Sequence, residues 1–199
     1  MSCLNVGILL FDDVELLDFA GPYEVFSVAA DRQQPPPFKV FTVARQNWPV
    51  RSVNGLTVNA DYHFSNCPTI DLLVIPGGNG MRQEITRPDV VEWVRERASL
   101  ARHVMSVCSG ARLLAAAGLL KGQSATTHHE VVDELARQAP DATIIAGARF
   151  IESGKIFSSA GISAGIDLSL YLVAKLCGND VATDSARYME YDWRHRHAG

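Results

Sequence analysis

Cys108 has the clearest chemical setting in the chain. It follows the apolar run His103-Val104-Met105-Ser106-Val107 directly, and Ser109-Gly110 and an Ala/Leu-rich stretch come straight after it. A nucleophile at a sharp strand-to-helix turn stands above a sheet edge, at the positive end of the next helix. Such a position can draw a thiol pKa from about 8.5 into the range of about 3.5–7.5. The alternative is an ordinary buried thiol, the state of most free cysteines. A second turn, Gly77-Gly78-Asn79-Gly80, follows the apolar run Asp71–Ile75. Its glycines can point backbone N–H groups together into a small oxyanion site, so Gly77, Gly78, Asn79 and Gly110 are candidates for binding substrate or stabilising charge. Asp18 lies in the apolar segment Leu16-Leu17-Asp18-Phe19-Ala20-Gly21-Pro22. Desolvation there would raise its pKa toward neutrality and make it a proton donor; a helix N-cap before Phe19 is the competing reading. Thr127 and His128 belong to a Thr-Thr-His-His segment. Adjacent histidines rarely face one ion, and no carboxylate stands at helical spacing, so a pocket-lining or loop role is expected and no metal.

These residues need elements to bring them together. Val6–Phe11 reads as a strand buried on both faces, and Glu15–Ala30 as a helix with a kink or fresh start at Gly21-Pro22. Phe38–Ala44 is a strand, and Asn54-Gly55 makes a small hairpin plausible on turn chemistry. Asp71–Ile75 and His103–Val107 are further strands, with a Pro-initiated helix over Pro88–Ala101 between them. Helices are expected over Ala111–Ala117, Glu130–Gln138, Ser163–Cys177 and Asp180–Tyr191. Short strands are expected at Thr143–Ile145, Phe150-Ile151 and Ile156–Ser158. The small-residue turn Ser158–Asp167 either lines the site or serves close helix-to-sheet packing. Alternating apolar strands and helices predict an α/β fold, a mostly parallel sheet covered on both faces. Function then sits at the carboxyl edge of the strands, where the Gly77 and Cys108 turns both fall.

The 199 residues suit one domain spanning 1–199, with no repeat and no linker long enough to divide it. A net charge of −4 offers no basic patch and no support for a nucleic-acid partner. No window approaches the roughly 18 continuous apolar residues of a membrane span. The cysteines, Cys3, Cys67, Cys108 and Cys177, are widely spaced with no C-x-x-C pair. They are expected to be thiols in a reducing cytoplasm. The basic tail Arg194-His195-Arg196-His197 reads as a solvated end.

Four segments together carry a family resemblance: VGILLFDDVELLDFAGPYEVF, DLLVIPGGNG, VMSVCSGARLLAAAGLLKGQSATTHH and SSAGISAGIDLSLYLV. They span residues 6 to about 173 in order, and the chain resembles the ThiJ/PfpI superfamily, relatives of class I glutamine amidotransferases. Within it the likeness is to the isonitrile hydratases. The resemblance implies a single-domain flavodoxin-like, amidotransferase-like three-layer sandwich with a nucleophile elbow. It implies a lyase adding water to an isonitrile through a covalent thioimidate, with Cys108 as nucleophile, Asp18 as proton donor and Ser109 assisting. Ser109 stands where those enzymes carry a threonine. No cofactor is required, and a cytoplasmic homodimer acting on a small molecule is expected. The alternatives are a redox-sensing or small-molecule-binding protein, or a glyoxalase/deglycase-type enzyme acting on a small ketoaldehyde.

Overall fold

The computed structural model describes residues 3–46 and 48–193. The elements in chain order are β1 (Leu4–Leu10), α1 (Leu16–Asp31), β2 (Phe38–Ala44), β3 (Val50–Arg51), β4 (Thr57–Val58), β5 (Tyr62–His63), β6 (Leu72–Ile75), α2 (Met81–Glu84), α3 (Pro88–Leu100), β7 (His103–Val107), α4 (Ala111–Ala116), β8 (Ser124–Ala125), α5 (Val132–Gln138), β9 (Thr143–Ile144), β10 (Phe150–Ser153), β11 (Ile156–Ser159), α6 (Ala164–Cys177) and α7 (Asn179–Tyr188). The Arg194-His195-Arg196-His197 tail lies outside the described residues.

Seven strands form one sheet in the order β10-β11-β7-β6-β1-β2-β5. Every neighbouring pair is parallel except β10 with β11. The central strands β1, β6 and β7 are largely apolar and buried because helices cover both faces. One group of helices, α1, α6 and α7, packs together; α3, α4 and α5 form a second. A single hydrophobic cluster runs from Leu4 to Ala186 through Ile8, Phe26, Leu73, Met105 and Leu168. The expected α/β architecture is therefore the observed one. No helix of the described residues is long and apolar enough to cross a membrane.

Two local expectations change. Helix α1 runs unbroken through Pro22. Pro22 removes one backbone donor, yet the buried Phe19, Val25, Phe26 and Ala29 keep the segment helical on the sheet. The Asn54-Gly55 hairpin forms, but its paired residues are Val50–Arg51 and Thr57–Val58, a wider loop than a two-residue turn.

Parallel strands deliver their carboxyl ends to one edge. The loops after β1, β6, β7 and β11 meet there and are tied to one another. The Glu15 N–H donates to the Gly77 carbonyl at 2.9 Å, and the Gly80 N–H to the Asp13 carbonyl at 3.1 Å. The Cys108 N–H donates to the Ala160 carbonyl at 3.2 Å.

Candidate active site

The turn after β7 is a sharp strand-to-helix elbow. Cys108 takes φ +57°, in the left-handed region, and leads through a short helical turn (Cys108–Gly110) into α4. A residue other than glycine is strained there by roughly 1–2 kcal/mol. Both sides of its backbone are held, since the Cys108 carbonyl also accepts from the Thr127 hydroxyl at 2.7 Å. The side chain is only 8% exposed.

Asp18 lies within the first turn of α1 and is 0% exposed. It is not a cap; the N-cap position is Glu15. Its Oδ2 accepts from the Gly77 N–H at 2.9 Å. Its Oδ1 is buried without a hydrogen-bond partner. Burial raises Asp18 from 3.8 to about 7, the Gly77 bond opposes that rise, and the negative Glu15 nearby adds to it. Cys108 and Asp18 interact directly. Burial first, and the Asp18 charge second, push the thiol up to about 12. This corrects the expectation of a lowered thiol pKa. The Ser109 and Ile162 N–H groups do favour the thiolate, but a buried sulfur beside a carboxylate is dominated by desolvation and like charge. The pair titrates as a unit and carries one negative charge above neutral pH.

The glycine turn does a different job from the one expected. The Gly77 N–H is committed to Asp18, and the Gly78 N–H donates to Ser109 Oγ at 3.1 Å. Neither is free to serve an oxyanion. Gly77 is needed for close approach: a Cβ there would lie 2.6 Å from the Ser109 nitrogen and 3.0 Å from Asp18 Oδ2. Ser109 therefore ties the glycine turn to the elbow.

A cavity of about 210 Å³ opens over the thiol. Gly78, Asn79, Cys108, Ser109 and His128 line it, while Gly77, Gly110 and Thr127 support it from behind. The His128 ring packs against Gly161, where a Cβ would lie 2.1 Å from its Cδ2. Its Nδ1 accepts from the Glu130 N–H at 3.3 Å, which leaves the proton on Nε2. Among the described residues no group of three or more His, Cys, Asp or Glu is arranged to hold a metal ion.

Two contributors escaped the sequence reading. Ile162, in the small-residue turn after β11, has φ +53° and lines the cavity, with its N–H facing both Cys108 and Asp18. A β-branched residue in that region is an outlier, which marks a constrained site. That turn does line the site, one of the two roles expected for it. Arg112, on α4, also lines the cavity yet is 4% exposed. Its position four residues after Cys108 is the sole sequence signal it offers.

The DJ-1/PfpI family model matches residues 5–175. The chain belongs to the DJ-1/PfpI family. Isonitrile hydratase of Pseudomonas putida is 36% identical over 191 residues, covering 94% of this chain and 78% of that protein. A crystal structure of a ThiJ/PfpI family protein from Pseudomonas syringae superposes with TM-score 0.88 at 30% identity, covering 99% of this chain and 78% of that one. The HTH-type transcriptional regulator GbdR of Pseudomonas aeruginosa is 25% identical over 188 residues, and there the chain spans about half of the relative's length.

Proposed function

We propose that the protein is a thiol-dependent lyase that hydrates an isonitrile to an N-substituted formamide. The observation that carries this reading is the buried Cys108–Asp18 pair at the base of a small cavity. The 36% identity to isonitrile hydratase supports the choice of electrophile.

The chemistry follows from the pair sharing one proton. Asp18 takes the thiol proton as sulfur bonds to the terminal isonitrile carbon. The same proton then passes from Asp18 to that carbon, giving a thioimidate, R–N=CH–S–Cys108. Water adds its oxygen to this carbon, and one of its protons reaches nitrogen through Asp18. The carbon–sulfur bond breaks as the carbonyl forms, and the remaining hydroxyl proton returns to sulfur. The products are the formamide and the starting thiol. The Ser109 and Ile162 N–H groups, both directed at the sulfur, replace Gly78 as the donors that stabilise charge. No cofactor enters these steps.

A redox sensor fits less well, because sensor cysteines are low-pKa and accessible whereas this thiol is buried and raised. The decisive assay is a panel of an alkyl isonitrile and methylglyoxal, followed for formamide and lactate. Formamide is expected, and Cys108→Ala should abolish it. Lactate alone would replace this reading with a glyoxalase, and wild-type turnover by the Cys108→Ala variant would remove Cys108 from the mechanism. The proposal includes a cytoplasmic homodimer. The exposed apolar Leu17 and Tyr23 on α1 support an interface, and light scattering at twice 21.7 kDa would bear it out.

A further inference from the structure

Arg112 is a buried cation in the wall of the reactive cavity, and the hydration chemistry above makes no use of it. Its Nη2 donates to Glu134 Oε1 at 2.6 Å and its Nε to Gln138 Oε1 at 3.4 Å. Both partners lie on α5. Nη1 has no hydrogen-bond partner among the described residues. A charge this buried is retained when its donors are used. Here one edge of the guanidinium is anchored and the other is not.

The surroundings point to the same kind of ligand. Arg82 on α2 lines the same cavity, is exposed, and forms no ion pair among the described residues. The Asn79 side-chain amide also lines it and makes no side-chain hydrogen bond there. Apart from the thiol, Val131 and Ile162 are the apolar side chains of the lining, and polar and apolar surface share it about equally. The volume of about 210 Å³ lies below the roughly 300–1,000 Å³ of pockets for drug-sized ligands, so the substituent is short. Glu15 and Glu130 share the rim, and Glu134 pairs with Arg112, so the three carboxylates outnumber the two arginines and leave no net positive field. Recognition therefore rests on directed guanidinium donors, whose fork matches a carboxylate.

We propose that Arg112, with Arg82 at the mouth, receives a carboxylate on the N-substituent of the substrate, which makes the substrate a short isocyano acid. This rests on the isonitrile reading above and adds the class of the substituent.

The test compares isocyanoacetate with its methyl ester, which keeps the reacting group and removes the charge. Wild-type kcat/KM should favour the acid by at least about tenfold, the worth of one charged hydrogen bond of about 1.5–3 kcal/mol. Arg112→Lys keeps the charge but loses the fork, and should cut the acid-to-ester ratio about tenfold. Arg82→Gln, an exposed change that spares the core, should also lower that ratio. An equal preference in the wild type, or a ratio unmoved in both variants, overturns the proposal. Calorimetric binding of N-formylglycine against its methyl ester reads the same subsite without turnover. Preference for the acid there, with no isonitrile hydrated, would sink the isonitrile reading and keep the carboxylate site. No preference there would sink the carboxylate site.

Discussion

Replacing Asp18 with asparagine should shift stability in favour of the variant by an amount that grows with pH. The folded Asp18 titrates near 7 against 3.8 for its ordinary value. Between those values the folded protein holds a proton that the unfolded chain has released. A raised carboxylate therefore contributes stability that is complete below about pH 4 and lost as pH rises through about 7. Each full unit corresponds to about 1.4 kcal/mol and the slope falls off at the folded pKa, so the wild type loses about 2.5 kcal/mol between pH 5 and pH 8 from this group alone. The asparagine of the Asp18→Asn variant has no such titration. Its carbonyl can still accept from the Gly77 N–H, while its NH₂ falls where Asp18 Oδ1 now has no partner. That misfit costs about 1–3 kcal/mol at every pH, so the slope carries the test and the offset does not. For a chain of this size 1 kcal/mol moves Tm by about 2–4 °C. The difference in Tm, variant minus wild type, should rise by about 5–10 °C between pH 5 and pH 8 in differential scanning calorimetry. Staying below pH 8 keeps the Cys108 thiol, raised to about 12, out of the titration. A difference constant within about 2 °C over that range would refute the claim that burial sets the Asp18 pKa.

Three further outcomes follow from the same geometry. The kcat/KM for an isonitrile should rise with pH through about 7 as the pair loses its first proton, and Asp18→Asn should remove that step from the pH–rate profile. Gly77→Ala forces a Cβ to within 2.6 Å of the Ser109 nitrogen, and should cost about 1–3 kcal/mol in urea unfolding together with most of the turnover. Thr127→Val withdraws the 2.7 Å hydroxyl donor from the strained Cys108 backbone; a loss of about 1–3 kcal/mol is expected, with Thr127→Ser restoring most of it.

What could be read from the chain depended on how local its cause was. Strands β2 and β7 match the expected runs residue for residue, because most of their side chains are buried and only Lys39 in β2 faces solvent. Strands β5 and β8 hold two residues each, too few for any periodicity, and sequence reading passed over them. Cys108 was legible because the elbow is written in adjacent residues. Asp18 was only half legible: its apolar neighbours allow a buried carboxylate or a cap, and the distant Gly77 decides between them. Arg112 was not legible at all. On the sequence it is one more arginine on a helix, and its burial depends on Glu134 and Gln138, 22 and 26 residues away.

The corrected thiol pKa sharpens the mechanism. A thiolate stabilised by a helix terminus would be nucleophilic at rest and open to oxidation. Here burial holds the thiol in its protonated form beside a carboxylate raised toward neutrality, so in the proposed mechanism nucleophile and acid are made in one proton transfer. Such a pair suits an electrophile that must gain a nucleophile and a proton at the same carbon, which is what hydration of a terminal isonitrile carbon demands. The strained φ angles of Cys108 and Ile162 fit the same logic. The Ile162 N–H faces both the Cys108 sulfur and the Asp18 carboxylate, which interact with each other. Relaxing either backbone would return about 1–2 kcal/mol to stability and separate the groups that must act together.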